Sequence, residues 1–201
     1  MSRARATRPR RGRPEDTRRR LVAAAADVFN RDGYDGTDSN RLAAAAGYSP
    51  GTFYKHFVDK KQIFLAVYAE WVAAEWRELA DTLADAGSDA ELASRIVEIF
   101  VTHHAKWRGI RASLRRLVAV DDDVRDFYRE QRRVQLAELA SIRRGRGRGS
   151  RERDALLLFT VERVADSLAD GEATALELDR IAVERLLVEL VRTRIATTRR
   201  R

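Results

Sequence analysis

Apolar residues recur at three- and four-residue spacing from Leu21 through Ala24, Ala25, Val28 and Phe29, and the run stops at Gly33. That period puts one apolar stripe on a helix, and glycine just past the last periodic residue is a helix stop. The same signature returns along the chain: a short helix from Thr37 or Asp38 to Gly47, then a long one from Asp59 to about Ala84. Further helices are expected near 89–107, 110–119, 122–142, 152–169 and 177–196, punctuated by Gly109, Asp121 and Gly171. No period-two alternation bounded by turns argues for a strand, so the expected fold class is all-α.

Between the second and long helices lies GYSPGTFYKHF (47–57). Ser49 suits an N-cap and Pro50 the first helical position, where its missing N–H costs nothing. Tyr48 and Phe53 are spaced for a hydrophobic staple. At 100° per residue Phe53 and Phe57 share a face, with Tyr54 at its edge, while Gly51, Thr52, Lys55 and His56 point away. A helix of barely two turns is marginal alone and must be held by its neighbours. Helix, glycine turn, then a short helix opening on small polar residues is the helix-turn-helix plan. An ordinary corner between two helices would read the same way.

Charge separates the two readings. Residues 1–61 carry 14 Lys/Arg against 7 Asp/Glu, whereas 62–201 carry 25 against 24. An excess of positive charge confined to the first third points to a polyanion, with nucleic acid ahead of membrane because no amphipathic basic helix there bears large apolar anchors. No apolar run approaches the ~18 residues that span a bilayer, and the basic N-terminus lacks the apolar core of a secretory signal. Absence of cysteine excludes disulfides, thiolate metal sites and a cysteine nucleophile. A cytoplasmic protein without cofactor or metal is expected. Three histidines and no acid–base pair at a recognisable spacing argue against an enzyme.

The run GYDGTDSNRLAAAAGYSPGTFYKHFVDKKQIF (33–64), with the Phe29–Gly33–Tyr34 ending before it, resembles the DNA-binding domain of TetR-type transcriptional regulators. The resemblance covers roughly residues 15–64. Before it, residues 1–14 form a Pro/Gly/Arg stretch with no apolar periodicity, read as a flexible basic arm. The resemblance implies a helix-turn-helix domain (15–61) and a helical effector-binding and dimerisation domain (62–196), with a basic tail (197–201) after them. It further implies that Thr37, Ser39 and Asn40 meet phosphates or a base edge. Ser49 and Gly51 would start the recognition helix against the DNA, and Thr52 and Lys55 would contact bases in the major groove. Tyr54, His56 and Lys60 would bind phosphates. Asp38 departs from the hydroxyl residue common at its position, and a carboxylate repels phosphate, so it is read as a cap. Arg11-Gly12-Arg13-Pro14 has the form of a minor-groove hook, with a solvated basic tail as the plainer reading. The segment RRGRGRGSR (143–151) reads as a flexible loop.

In the remainder, Tyr68, Trp71, Phe100, His103, His104, Trp107, Phe127 and Tyr128 are candidates to line an effector pocket, an apolar cavity with a few polar handles. His103 and His104 are adjacent and point about 100° apart, which speaks against a shared metal. Asp121–Asp123 is read as a helix cap rather than a metal site. The last two helices are apolar on broad faces, suggesting burial on two sides. The resemblance implies that they pair into a homodimer, giving a bacterial, nucleoid-associated repressor on a palindromic double-stranded DNA operator, released by a small-molecule effector. A constitutive or architectural DNA-binding protein without effector is the alternative.

Overall fold

A computed structural model describes residues 13–85, 87–144 and 150–199. Among these residues there is no strand, and the chain runs through ten helices: α1 (Pro14–Asp32), α2 (Ser39–Ala45), α3 (Pro50–Phe53), α4 (Lys60–Asp85), α5 (Asp89–Lys106), α6 (Arg108–Val120), α7 (Asp122–Arg144), α8 (Arg151–Asp170), α9 (Glu172–Ala175) and α10 (Arg180–Arg199). Most of the Arg/Gly segment at 143–151 and the end of the basic tail lie outside the described residues. No helix among the described residues is long and apolar enough to cross a membrane.

Side-chain caps set many of the helix starts. Asp38 accepts from the N–H groups of Asn40 and Arg41 at 2.8 and 2.9 Å, Ser49 from Thr52 at 3.3 Å and Asp59 from Gln62 at 2.7 Å. Ser88 and Ser150 do the same for α5 and α8. Each cap satisfies backbone donors that the first turn cannot. At the other end of α1, Gly33 takes a left-handed φ of 73° and donates its N–H to the Phe29 carbonyl, a backbone angle that disfavours any side chain.

The chain divides into two compact units. The first comprises residues up to Trp71 together with Gly109–Val124; the second comprises Val72–Arg108 and the chain from Arg125. This differs from a boundary after residue 61, because α6 belongs with the first three helices. Asn30 Oδ1 accepts the Gly109 N–H at 2.9 Å, and Ser113 Oγ accepts the Tyr34 N–H at 3.0 Å. Arg116 pairs with Asp35. Lys61 Nζ reaches Asp121 at 3.1 Å and Asp123 at 2.7 Å. Asp123 first and Asp121 second hold the Lys61 ammonium above its ordinary value. The Val124 N–H and then Lys61 hold the Asp121 carboxyl below the usual carboxylate range.

Gly109 marks the closest approach. A Cβ there would lie 2.0 Å from the Asn30 carbonyl oxygen, so α1 and α6 meet backbone to backbone. Gly109→Ala is expected to force them apart and to cost about 1–3 kcal/mol, the usual range for overpacking. Urea unfolding measures it, and a variant as stable as wild type would refute the close contact.

In the second unit α5 lies against both α8 and α10. Val97, Phe100 and Val101 of α5 pack with Leu158, Val161, Ala165 and Leu168 of α8 and with Leu187 and Val191 of α10. The last helix begins at Arg180 rather than near 177. Gly171 (φ 79°) ends α8, a single turn of α9 follows, and Glu177 adopts φ 58°.

Candidate nucleic-acid interface

The short helix expected to run barely two turns is shorter still. Regular α3 ends at Phe53, and the chain continues as a tight turn in which the Phe53 carbonyl accepts from both His56 (2.9 Å) and Phe57 (3.0 Å). One helical turn has no intrinsic stability, so anchors must hold it. Phe53 and Phe57 are 0% and 1% exposed, with ring centroids 5.7 Å apart. At the other end Ser49 caps the helix, and its hydroxyl also lies 3.1 Å from that of Thr52.

On the opposite side, Ser49, Gly51, Tyr54 and Lys55 are exposed, while Thr52 and His56 are half-buried. Tyr54 lies edge-on to Phe53 and leaves 56% of its surface exposed. The arrangement offers a cation, a threonine and a phenol on a rigid turn, a set able to hydrogen-bond phosphate oxygens and base edges. On α2, Asn40 is exposed and Ser39 half-buried. Arg13 is exposed just before α1; Arg11 lies outside the described residues.

Two expected phosphate ligands are turned inward. Thr37 is 5% exposed, so its side chain belongs to the core and is not presented. Lys60 is half-buried, and its ammonium donates to the carbonyls of Tyr34 (2.9 Å) and Thr37 (3.0 Å) and stands 4.1 Å from the Tyr34 ring. It ties down the link between α1 and α2, whose carbonyls have no helix to satisfy them.

The expected effector residues do not form one cluster. Tyr68 and Trp71 are buried in the first unit, edge to face. In the second unit Phe100 and His104 are buried at 3% and 2% exposure. His104 Nδ1 is 2.8 Å from Asp166, and His103 Nε2 is 2.8 Å from Glu78. Trp107 lies under Lys106, and the half-buried Tyr128 faces Arg132; Phe127 is half-buried. None of the eight lines either of two clefts in this unit, one of about 330 Å³ between α4 and α5 and one of about 620 Å³ between α5 and α10. Among the described residues no group of His, Cys, Asp and Glu is arranged to hold a metal ion.

Arg18, outside the residues that the sequence singles out, also meets this turn. Its guanidinium donates to the His56 carbonyl at 3.2 Å and covers the Phe57 ring at 4.3 Å. One of three consecutive arginines on α1, it carries no distinguishing local signal.

Residues 21–67 match the family of bacterial regulatory proteins, tetR family. The HTH-type transcriptional repressor AcnR of Corynebacterium efficiens is 26% identical over 134 residues, 67% of each chain. A TetR-family transcriptional regulator from Rhodococcus sp. superimposes with a TM-score of 0.72 at 16% identity, covering 92% of this chain and 99% of that one. The fatty acid degradation regulator FadR of Bacillus halodurans gives 0.67 at 17% identity, covering 92% and 97%. Matched over residues 21–67 by the tetR family and sharing the all-helical fold of TetR-family regulators, the chain carries a TetR-type helix-turn-helix domain.

Proposed function

We propose that the chain acts in the cytoplasm as a homodimeric repressor that reads a two-fold symmetric DNA site through α3 and leaves it when a small-molecule effector binds the second unit. The observation that carries the DNA-reading role is the split of 49–57: buried Phe53 and Phe57 fix the turn, and Lys55 projects from it into solvent. Lys55 and Thr52 are the base-reading residues, lysine donating to guanine O6/N7 and threonine offering a methyl or hydroxyl. Tyr54, His56, Asn40, Ser39 and the Ser49–Gly51 backbone position the chain on phosphates. Arg11 and Arg13 add nonspecific phosphate attraction.

Lys55 and Lys60 separate reading from holding. Lys55→Ala is expected to cost about 1–3 kcal/mol of discrimination at one position of the preferred duplex, with nonspecific binding nearly unchanged. Lys60→Met is expected to lower the unfolding midpoint while leaving the salt slope of DNA binding as in wild type. Equal small effects of both variants on DNA binding would refute the assignment.

The effector would bind the second unit, where the clefts between α4 and α5 and between α5 and α10 offer room beside polar handles such as Glu78, Arg95 and Arg185. Ligand-induced release would follow from higher affinity for a conformer that fits DNA poorly. Titrating the protein–DNA complex with a metabolite library tests it. The alternative, constitutive binding, draws on the burial of Phe100 and His104 as core; failure of every compound class to shift binding would favour it.

A further inference from the structure

α3 is one turn long, so the orientation in which it offers Thr52 and Lys55 is set at its ends. Ser49 fixes the start, and Phe57, 1% exposed, pins the far side. The His56 carbonyl lies in the turn between them. Arg18, 38 positions earlier and on another helix, meets both of these last two groups. Its NH1 donates to His56 O at 3.2 Å, and its carbon stands 4.3 Å from the Phe57 ring centroid. A planar guanidinium stacks through its face while donating through its edge. A lysine at this position has no planar face to stack on the ring, and its single head group would have to leave one of the two contacts that the guanidinium spans.

We propose that Arg18 is a positioning residue for sequence recognition, locking the C-terminal end of the reading turn rather than contacting DNA itself. This rests on α3 being the DNA reader. A Coulombic role and a positioning role have different signatures. A phosphate ligand contributes equally on every sequence and adds about one unit to the salt slope. A residue that orients Lys55 acts on the preferred sequence alone, because nonspecific binding needs charge but no register.

The test uses the full-length chain as wild type, Arg18→Lys and Arg18→Gln. The probes are the tightest duplex that the wild type enriches from a randomised pool and a shuffled duplex of the same composition. Both variants should lower the enriched-to-shuffled affinity ratio about tenfold, with shuffled binding within about twofold and its salt slope unchanged. In the DNA-free protein, amide exchange over residues 54–58 should quicken several-fold in both variants, since the lock acts before DNA arrives. Equal losses on the two duplexes in Arg18→Gln, a slope smaller by about one and rescue by Arg18→Lys would make Arg18 a phosphate ligand and overturn the proposal. So would an unchanged ratio with unchanged exchange. A wild type that enriches no duplex would overturn the reading of α3 as well, whereas enrichment by wild type and Arg18→Lys alike would overturn this inference only.

Discussion

Phe53→Ala is expected to remove about 3–5 kcal/mol from the stability of the first unit. The ring is fully buried and packs against Phe57 and, edge-on, against Tyr54. Truncation leaves a cavity in a region whose backbone has little of its own to lose. α3 holds one turn of regular hydrogen bonds, so it cannot keep its shape while the surroundings collapse. A loss of this size is a large part of the roughly 5–15 kcal/mol that separates folded from unfolded domains. Sequence-specific DNA binding should fail with it, because Thr52 precedes the ring and Lys55 follows by two. Phe53→Leu should cost about 1.5 kcal/mol or less and preserve binding. Tyr54→Ala should leave the unfolding curve nearly unchanged, since that ring is more than half exposed, and should weaken DNA instead. Urea unfolding with DNA titration measures all three. A Phe53→Ala protein within about 1 kcal/mol of wild type would show that the ring is not the anchor.

Much of that geometry was legible in the sequence because it is local. Ser49-Pro50 before a helical turn, Asp38 before α2 and Asp59 before α4 are short-range signals, and the structure places those caps as expected. The inward turn of Lys60 was not legible. A lysine at a helix start looks the same whether it faces phosphate or the carbonyls of Tyr34 and Thr37, and the choice depends on how a loop 23 residues earlier folds back. Thr37 went astray for the same reason. Joining α6 to the first unit needs contacts between residues 79 positions apart, beyond the reach of any periodicity. The aromatic residues of the remainder were found as rings, yet helical spacing assigns a ring to a face, not to a cavity. Tyr68, Trp71 and Phe100 accordingly proved to be buried packing. Arg18 illustrates the limit: its role appears only once His56 and Phe57 are placed beside it.

The second large effect lies at the far end of the chain. Leu156 and Phe159 of α8 are 62% and 49% exposed, and Leu186 and Leu190 of α10 are 63% and 42% exposed. The same helices bury Leu158, Val161, Leu187 and Val191 in the core of the second unit. Each helix therefore carries two apolar faces, one covered within the chain and one open. Open apolar side chains of this size on neighbouring helices mark an interaction surface, and in the homodimer proposed above a two-fold copy of the chain would cover it. Leu186→Glu with Leu190→Glu would place two carboxylates on each side of that seam, replacing four leucines of the dimer by like charges. The variant is expected to sediment as a folded monomer, its helical content unchanged because Leu186 and Leu190 are exposed and flank the face that buries Leu187 and Val191 rather than sharing it. Binding to a full two-fold operator should weaken by about 10²–10⁴, since the second half-site loses the advantage of being tethered to the first. Binding to an isolated half-site should stay nearly as in wild type, because Lys55 and its turn are untouched. A double variant that remains dimeric by sedimentation would move the interface elsewhere. One that is monomeric yet binds the full operator as tightly as wild type would remove the dimer from the mechanism.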